Sequence, residues 1–238
     1  MNDRQHRGDP VLRTRVVDMA NGQDSASEPV LVEPGVSLVI GREGDVALGV
    51  VPPDFGVSRR ALTVSITAKG WALEPTNSNG IVLQPWGQAQ SWLDIGRPLE
   101  ISWPWVGLRV IGSRPEVQHW VLLEAGTGST RGPETSSTQT ESPDPKPLTE
   151  AQSAAVAAVF GQHLAWPPVA GAMPQTLDAA ARRLGVSTAA VYQRLEAARA
   201  RAYLLGSHPQ SSVTEPDYVY VLVRNGFIES PRRAAAAE

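Results

Sequence analysis

The 238-residue chain contains no cysteine. That absence excludes thiol catalysis, a disulfide framework and every cysteine-based metal site, and it fits a reducing cytosol. Histidine is scarce as well: His6, His119, His163 and His208 lie far apart, without the spacings of metal ligands. No apolar run is long enough to span a bilayer, and the opening Met1-Asn2-Asp3-Arg4-Gln5-His6 lacks the apolar core of a signal peptide. A soluble, cytoplasmic protein is therefore expected. The marks of an enzyme are missing too. Asp45, Asp54 and Asp94 show no paired-carboxylate spacing, no Ser-His-Asp arrangement is suggested, and no glycine-rich phosphate loop precedes a helix. No cofactor is expected, and no internal repeat is visible.

What is present is enough apolar material, 42% of residues, for two ordinary domains or one large one. The net charge of −3 is unevenly spread: residues 1–124 carry 11 Lys/Arg against 14 Asp/Glu, and residues 148–238 carry 8 against 7. Within the second region, Thr176–Ala202 is locally basic, with Arg182, Arg183, Arg194, Arg199 and Arg201 set against Asp178 and Glu196. That excess keeps nucleic acid open as a partner.

From Val11 to Glu124 the pattern is β. Val11–Val17, Ser37–Ile40, Ala61–Ile66, Gly70–Leu73, Gly107–Ile111 and Gln118–Leu123 are short, rich in Val, Ile, Leu and Trp, and separated by Gly, Pro, Asn or Ser. Alternation predicts Leu62, Val64 and Ile66 facing inward and Thr63, Ser65 and Thr67 facing out. Many short strands without intervening helices predict an all-β sandwich over residues 11–124, preceded by a tail at 1–10. Trp71, Trp86, Trp92, Trp103, Trp105 and Trp120 are expected to fill its core and rim. Residues 125–147 hold nine Ser or Thr and no large apolar side chain, so nothing offsets the entropy of ordering them. They are expected to be a disordered linker.

Beyond the linker the period becomes helical, and residues 148–228 are expected to form an all-α domain followed by a tail at 229–238. Thr149 with Gln152 makes a capping-box pattern, and Val156, Val159 and Phe160 share one face. Trp166-Pro167-Pro168 is expected to end the first helix or lie just beyond it. Helices are predicted at about Leu177–Leu184 and Thr188–Ala202, and a last one at Asp217–Arg224 stops at Asn225-Gly226.

Three polar loops interrupt the β region: Gly41-Arg42, Val57-Ser58-Arg59-Arg60 and Asn77-Ser78-Asn79-Gly80. Brought to one rim, they would supply two to three cations, one or two hydroxyls and an amide. Such a set suits binding a phosphate on a peptide: a guanidinium makes paired charge-assisted bonds, and hydroxyl and amide add orientation. Gly41 and Gly80 also suit plain turns.

In their order and spacing these loops, with Gly96-Arg97-Pro98-Leu99-Glu100-Ile101 behind them, resemble the forkhead-associated (FHA) domain, a phosphothreonine-binding β-sandwich, over about half the chain. The resemblance implies that Arg42 holds the phosphate, Ser58 donates to it and Arg59 lies alongside. It implies that Ser78 and Asn79 contact the threonine region, with Asn79 gripping peptide backbone. Two departures stand out. Ala61 replaces the histidine that braces the loop behind Ser58, and its loss is expected to loosen the site. Ile81 replaces the threonine after Asn-Gly.

Leu177–Arg201 resembles a helix-turn-helix of the sigma-factor region 4 and LuxR type, and the expected C-terminal fold is a (winged) helix-turn-helix. Leu184-Gly185-Val186-Ser187 would form its turn, with Gly185 left-handed and Ser187 capping the second helix. Ala180, Ala181 and Leu184 would face Val191 and Leu195. Thr188, Ala189, Tyr192, Gln193 and Glu196 would approach base edges, while Arg194, Arg199 and Arg201 would touch phosphates. The arrangement as a whole resembles FHA-containing regulators of actinobacteria. The partners it implies are a phosphothreonine-containing protein or Ser/Thr kinase, DNA, no membrane, and a second copy of the chain as a homodimer. An adaptor whose helical domain docks a protein is the alternative.

Overall fold

A computed structural model describes residues 10–125, 146–207 and 212–229. Apart from their edge residues, the two expected tails and the linker lie outside the described residues. The chain divides into two compact units, one β and one helical.

The β unit has twelve strands: β1 Val11–Asp18, β2 Gln23–Ala26, β3 Val30–Leu31, β4 Ser37–Gly41, β5 Val46–Ala47, β6 Leu62–Thr67, β7 Gly70–Pro75, β8 Ile81–Pro85, β9 Ser91–Trp92, β10 Leu99–Ile101, β11 Trp105–Val110 and β12 Val117–Glu124. They form two sheets. One runs β2-β1-β12-β11-β8-β9, with β3 also beside β1, and the other runs β10-β7-β6-β4-β5. Register decides what faces inward. Leu12 pairs with Leu123 and Thr14 with Val121, while Leu108 pairs with both Val121 and Leu83. These side chains meet Ile40, Leu62, Val64, Trp71 and Leu73 of the second sheet in one apolar core. This is the sandwich that the alternation predicted, since period-2 side chains must bury one face of each sheet. The expected inward set Leu62, Val64 and Ile66 belongs to that core or packs against it. Trp71, Trp105 and Trp120 are buried, whereas Trp92 is exposed at the rim.

The same register places the loops. Ile40 and Pro75 both pair with Leu62, and Ile81 pairs with Val110. The loops after β4, before β6, between β7 and β8, and after β11 therefore emerge at one end of the sandwich. The loop between β7 and β8 links the two sheets by crossing between them.

The helical unit has α1 Glu150–Phe160, α2 Leu177–Leu184, α3 Thr188–Leu204 and α4 Asp217–Arg224. Thr149 and Gln152 form the capping box, each side chain bonding the other's backbone N–H at 3.3 and 3.0 Å. Gly185 ends α2 at φ 65°, and Ser187 Oγ accepts from the Ala190 N–H at 3.2 Å to begin α3. Val156, Val159, Phe160, Val191, Leu195 and Tyr218 share one core, where Phe160 meets Tyr218 edge to face at 5.7 Å. Among the described residues this unit contains no strand, so the expected wing has no counterpart there. No helix of the described residues is long and apolar enough to cross a membrane.

Candidate functional site

Three loops meet on one short segment, Gly56-Val57-Ser58. Arg42 donates its backbone N–H to the Ser58 carbonyl at 3.2 Å and its Nε–H to the Val57 carbonyl at 2.7 Å. The Ser78 N–H donates to Ser58 Oγ at 3.1 Å, and Asn79 Nδ2 donates to the Gly56 carbonyl at 3.1 Å. Arg42, Ser58, Ser78 and Asn79 are thus brought together at one end of the sandwich. Each keeps capacity to spare among the described residues. The terminal nitrogens of Arg42 make no hydrogen bond there, Ser58 still has its hydroxyl proton, and Asn79 Oδ1 is open.

Close approach explains Gly41. A Cβ there would lie 2.4 Å from the Arg59 carbonyl oxygen and 2.8 Å from the Ala61 nitrogen, so only glycine lets the first loop lean on the second. Arg59 itself stands off to the side. Its Nε pairs with Glu43 Oε1 at 3.2 Å, and both side chains are largely exposed. It is near the site without being committed to it. The Arg42 guanidinium lies 5.1 Å from the centre of the Phe55 ring, a cation–π stack.

Two braces behind these loops escaped the sequence reading. The first is Asn77, which is fully buried. Its Oδ1 accepts from the Ser58 N–H at 2.9 Å, and its Nδ2 donates to the Gly80 and Ile111 carbonyls at 2.9 and 2.8 Å. One side chain therefore ties the Ser58 loop to the β7–β8 loop and to the end of β11. The second is Asp54, also buried. It accepts from the Gly56 and Ser113 N–H groups at 2.9 and 2.8 Å, from the Ser113 hydroxyl at 2.7 Å and from His119 Nε2 at 3.1 Å. Burial alone would raise its pKa; the bonds from Ser113, His119 and Gly56 overcome that and hold the carboxyl well below the usual carboxylate range. Burial lowers the His119 pKa, with Asp54 pulling less strongly the other way, so His119 is neutral and donates through Nε2. A polar residue on an inward-facing strand position, His119 on β12, was the one available signal.

Ala61 occupies the core, fully buried, where the FHA resemblance has histidine. Around it Asn77 and Asp54 bond the neighbouring loops, and Thr76 Oγ1 donates to the Arg60 carbonyl at 2.6 Å.

In the helical unit Ala189, Tyr192 and Gln193 are exposed on α3 and Arg194 is half-buried. Several expected nucleic-acid contacts are already engaged. Thr188 donates its hydroxyl to Asp178 at 2.7 Å, tying α3 to α2. Arg199 makes a forked pair with Glu196 at 3.0 and 2.6 Å, one helical turn away. Arg201 bonds the Pro147 carbonyl. Of these, Thr188 is exposed while Glu196, Arg199 and Arg201 are half-buried, and sequence alone could not show that neighbours would occupy them. Among the described residues no cluster of His, Asp or Glu could hold a metal ion.

No family model matches the chain, and no curated protein does. Solved structures of FHA domains align with its N-terminal half. The FHA domain of human APLF, in complex with an XRCC1 bisphospho peptide, is 18% identical over 50% of this chain and 99% of that one, with a TM-score of 0.34. FHA-1 of Mycobacterium tuberculosis Rv1747 is 19% identical over 50% and 98%, with a TM-score of 0.27. The FhaA FHA domain, complexed with the intracellular domain of Rv3910, is 20% identical over 46% and 98%, with a TM-score of 0.27. At these values nothing functional rests on the likeness.

Proposed function

We propose that the β unit is a phosphothreonine-peptide-binding module of the FHA kind, a signalling part rather than an enzyme. One observation carries this reading: Arg42, Ser78 and Asn79, from loops far apart in sequence, all grip the segment Gly56–Ser58 while a guanidinium, a hydroxyl proton and an amide oxygen stay open. A dianionic phosphate needs such donors, and a peptide backbone needs the amide. Charge-assisted bonds contribute about 1.5–3 kcal/mol each, so two or three with backbone contacts supply about 8 kcal/mol, near micromolar affinity. That strength suits a reversible signal. Titrating a degenerate phosphothreonine library against wild type and Arg42→Ala tests it. Wild type should bind in a phosphate-dependent manner, and the variant should lose about tenfold or more. Equal binding by the two proteins would exclude the site.

The helical unit has two readings. As a helix-turn-helix, α2 and α3 would carry Ala189, Tyr192 and Gln193 to base edges and Arg182, Arg183 and Arg194 to phosphates, making the protein a phosphorylation-responsive transcriptional regulator. As an adaptor domain it would dock a protein. Charge favours the adaptor. Thr188, Arg199 and Arg201 are engaged within the unit, and the exposed α3 positions Ala189, Tyr192, Gln193, Tyr203 and Leu204 carry no cation. Gel shifts on genomic fragments at rising salt separate the two: DNA binding weakens steeply with salt, whereas a docking domain gives no shift even at low salt.

A further inference from the structure

We infer that α3 is a self-association surface: two copies of the chain pair antiparallel through the face that carries Tyr192, Glu196, Arg199 and Tyr203. This rests on the adaptor reading of the helical unit and names the docked protein as a second copy. Val191, Leu195, Ala198 and Ala202 are fully buried and seat α3 on its own core, which turns another face outward. On that face Ala189, Tyr192, Glu196, Arg199 and Tyr203 recur at alternating steps of three and four, the spacing of a seam along one side of a helix. Tyr192 and Tyr203 are 49% and 54% exposed, and Leu204 beside them is 74% exposed. The two tyrosines stand about 16 Å apart along the axis, with the Glu196–Arg199 pair between them.

The order of these residues is self-complementary. Tyr192 and Tyr203 are equidistant from the midpoint between Ala197 and Ala198; so are Glu196 and Arg199, and so are Ala189 and Gly206. A two-fold axis through that midpoint sets Tyr192 opposite the second copy's Tyr203, and Glu196 opposite its Arg199, each contact occurring twice. The two ion pairs then join into one ring of alternating charges. A parallel pair in register would instead set Glu196 against Glu196 and Arg199 against Arg199, so charge selects the antiparallel one. Ala189 and Gly206 are small and exposed, which lets the helix ends approach. The 17 residues of α3 span about 25 Å, and one face of that length buries less than the roughly 800 Å² per partner of a standard interface. The dimer is accordingly weak, with a Kd of about 10–100 µM. While paired, this face has no access to a major groove.

The experiment is sedimentation velocity on the full chain from about 1 to about 300 µM, a range that brackets the expected Kd. Wild type should pass from monomer to dimer. Glu196→Arg and Arg199→Glu, each alone, should weaken the dimer about tenfold or more, because like charges then meet across the axis. An equimolar mixture of those two variants should regain wild-type association. Neither variant can make its own Glu–Arg bond within the helix, so recovery in the mixture reports pairing between copies. Tyr203→Ala should weaken the dimer about tenfold without touching the charges. Melting curves confirm folding, and because Tyr203 lies outside the core, Tyr203→Ala decides the question even if a charge reversal unfolds α3. A wild type that stays monomeric throughout overturns the pairing and leaves the adaptor reading to a different protein. A dimer unmoved by all three substitutions, or a mixture of folded variants that fails to associate, overturns it as well. A gel shift on genomic fragments that weakens with salt, with no dimer formed, removes both readings.

Discussion

The β unit and the helical unit treat polar side chains in opposite ways. Among the described residues the β unit buries Thr14, Asp54, Asn77, His119 and Glu124, whereas the helical unit buries only Ser207 of that kind. Helices satisfy their backbone groups internally, so polar side chains of the helical unit can pair at the surface, as Glu196 with Arg199 and Thr188 with Asp178 do. Strands end in loops whose N–H and C=O groups have no partner within the ladder. Where several loops must hold a fixed shape at one end, buried acceptors and donors have to supply what the ladder does not. A binding rim built from loops thus calls for polar residues beneath it, and a surface built on a helix does not.

The sharpest way to break this contrast is Asp54→Ala. It would leave the Gly56 and Ser113 N–H groups and His119 Nε2 without an acceptor, and we expect a loss of about 3–5 kcal/mol in urea unfolding followed by tryptophan fluorescence. A loss below 1 kcal/mol would mean the brace is dispensable. Asn77→Ala should cost less, about 1–3 kcal/mol, because it strands the Ser58 N–H and the Ile111 carbonyl, while the Gly80 carbonyl keeps the Ile111 N–H. It should also weaken phosphopeptide binding by releasing Ser58, and calorimetric titration reads that directly.

Acid sharpens the comparison from another side. Burial holds the folded pKa of His119 below its unfolded value near 6.5, so the unfolded chain binds more protons below about that pH. The stability this provides is complete above about pH 6.5 and declines as the pH falls toward the folded pKa. Asp54 has the same sign at lower pH. Its contribution is full above about pH 4 and is lost as its carboxyl is forced to protonate. His163 in the helical unit also has its pKa lowered by burial. Unfolding midpoints at pH 7.5 and 5.5 should therefore fall for wild type and fall less for His119→Gln or His163→Gln. An unchanged slope in both variants would show that neither histidine is held neutral. The smallest effect is expected from Glu196→Ala. A pair within one helix turn contributes about 0.3–0.5 kcal/mol, so the urea midpoint should move only slightly.

Much of this was legible in the chain. The helices Leu177–Leu184 and Asp217–Arg224 fall where caps and period put them, and six strands lie where alternation indicated, to within a few residues. Strand β8 was passed over because Ile81-Val82-Leu83 is a three-residue apolar run followed by Gln84 and Pro85, without the period-2 signature. The two-residue strands β3, β5 and β9 carry too few side chains to show a period at all. Of the proposed site, Arg42, Ser58, Ser78 and Asn79 could be singled out because a guanidinium, hydroxyls and an amide can bond a phosphopeptide if loops bring them together. Asn77 and Asp54 looked like ordinary turn residues.

Local periodicity, turn glycines and helix caps act within a few residues, so the chain alone determined a β part, a helical part and the polar loops of the first. Which end of the sandwich those loops share was decided by strand register, and which side chains brace them was decided by partners such as His119, 65 residues from Asp54. The same holds for the engagement of Thr188 by Asp178. A hydrogen bond between distant residues depends on where the whole backbone places them, and that placement exists only once the cores have packed.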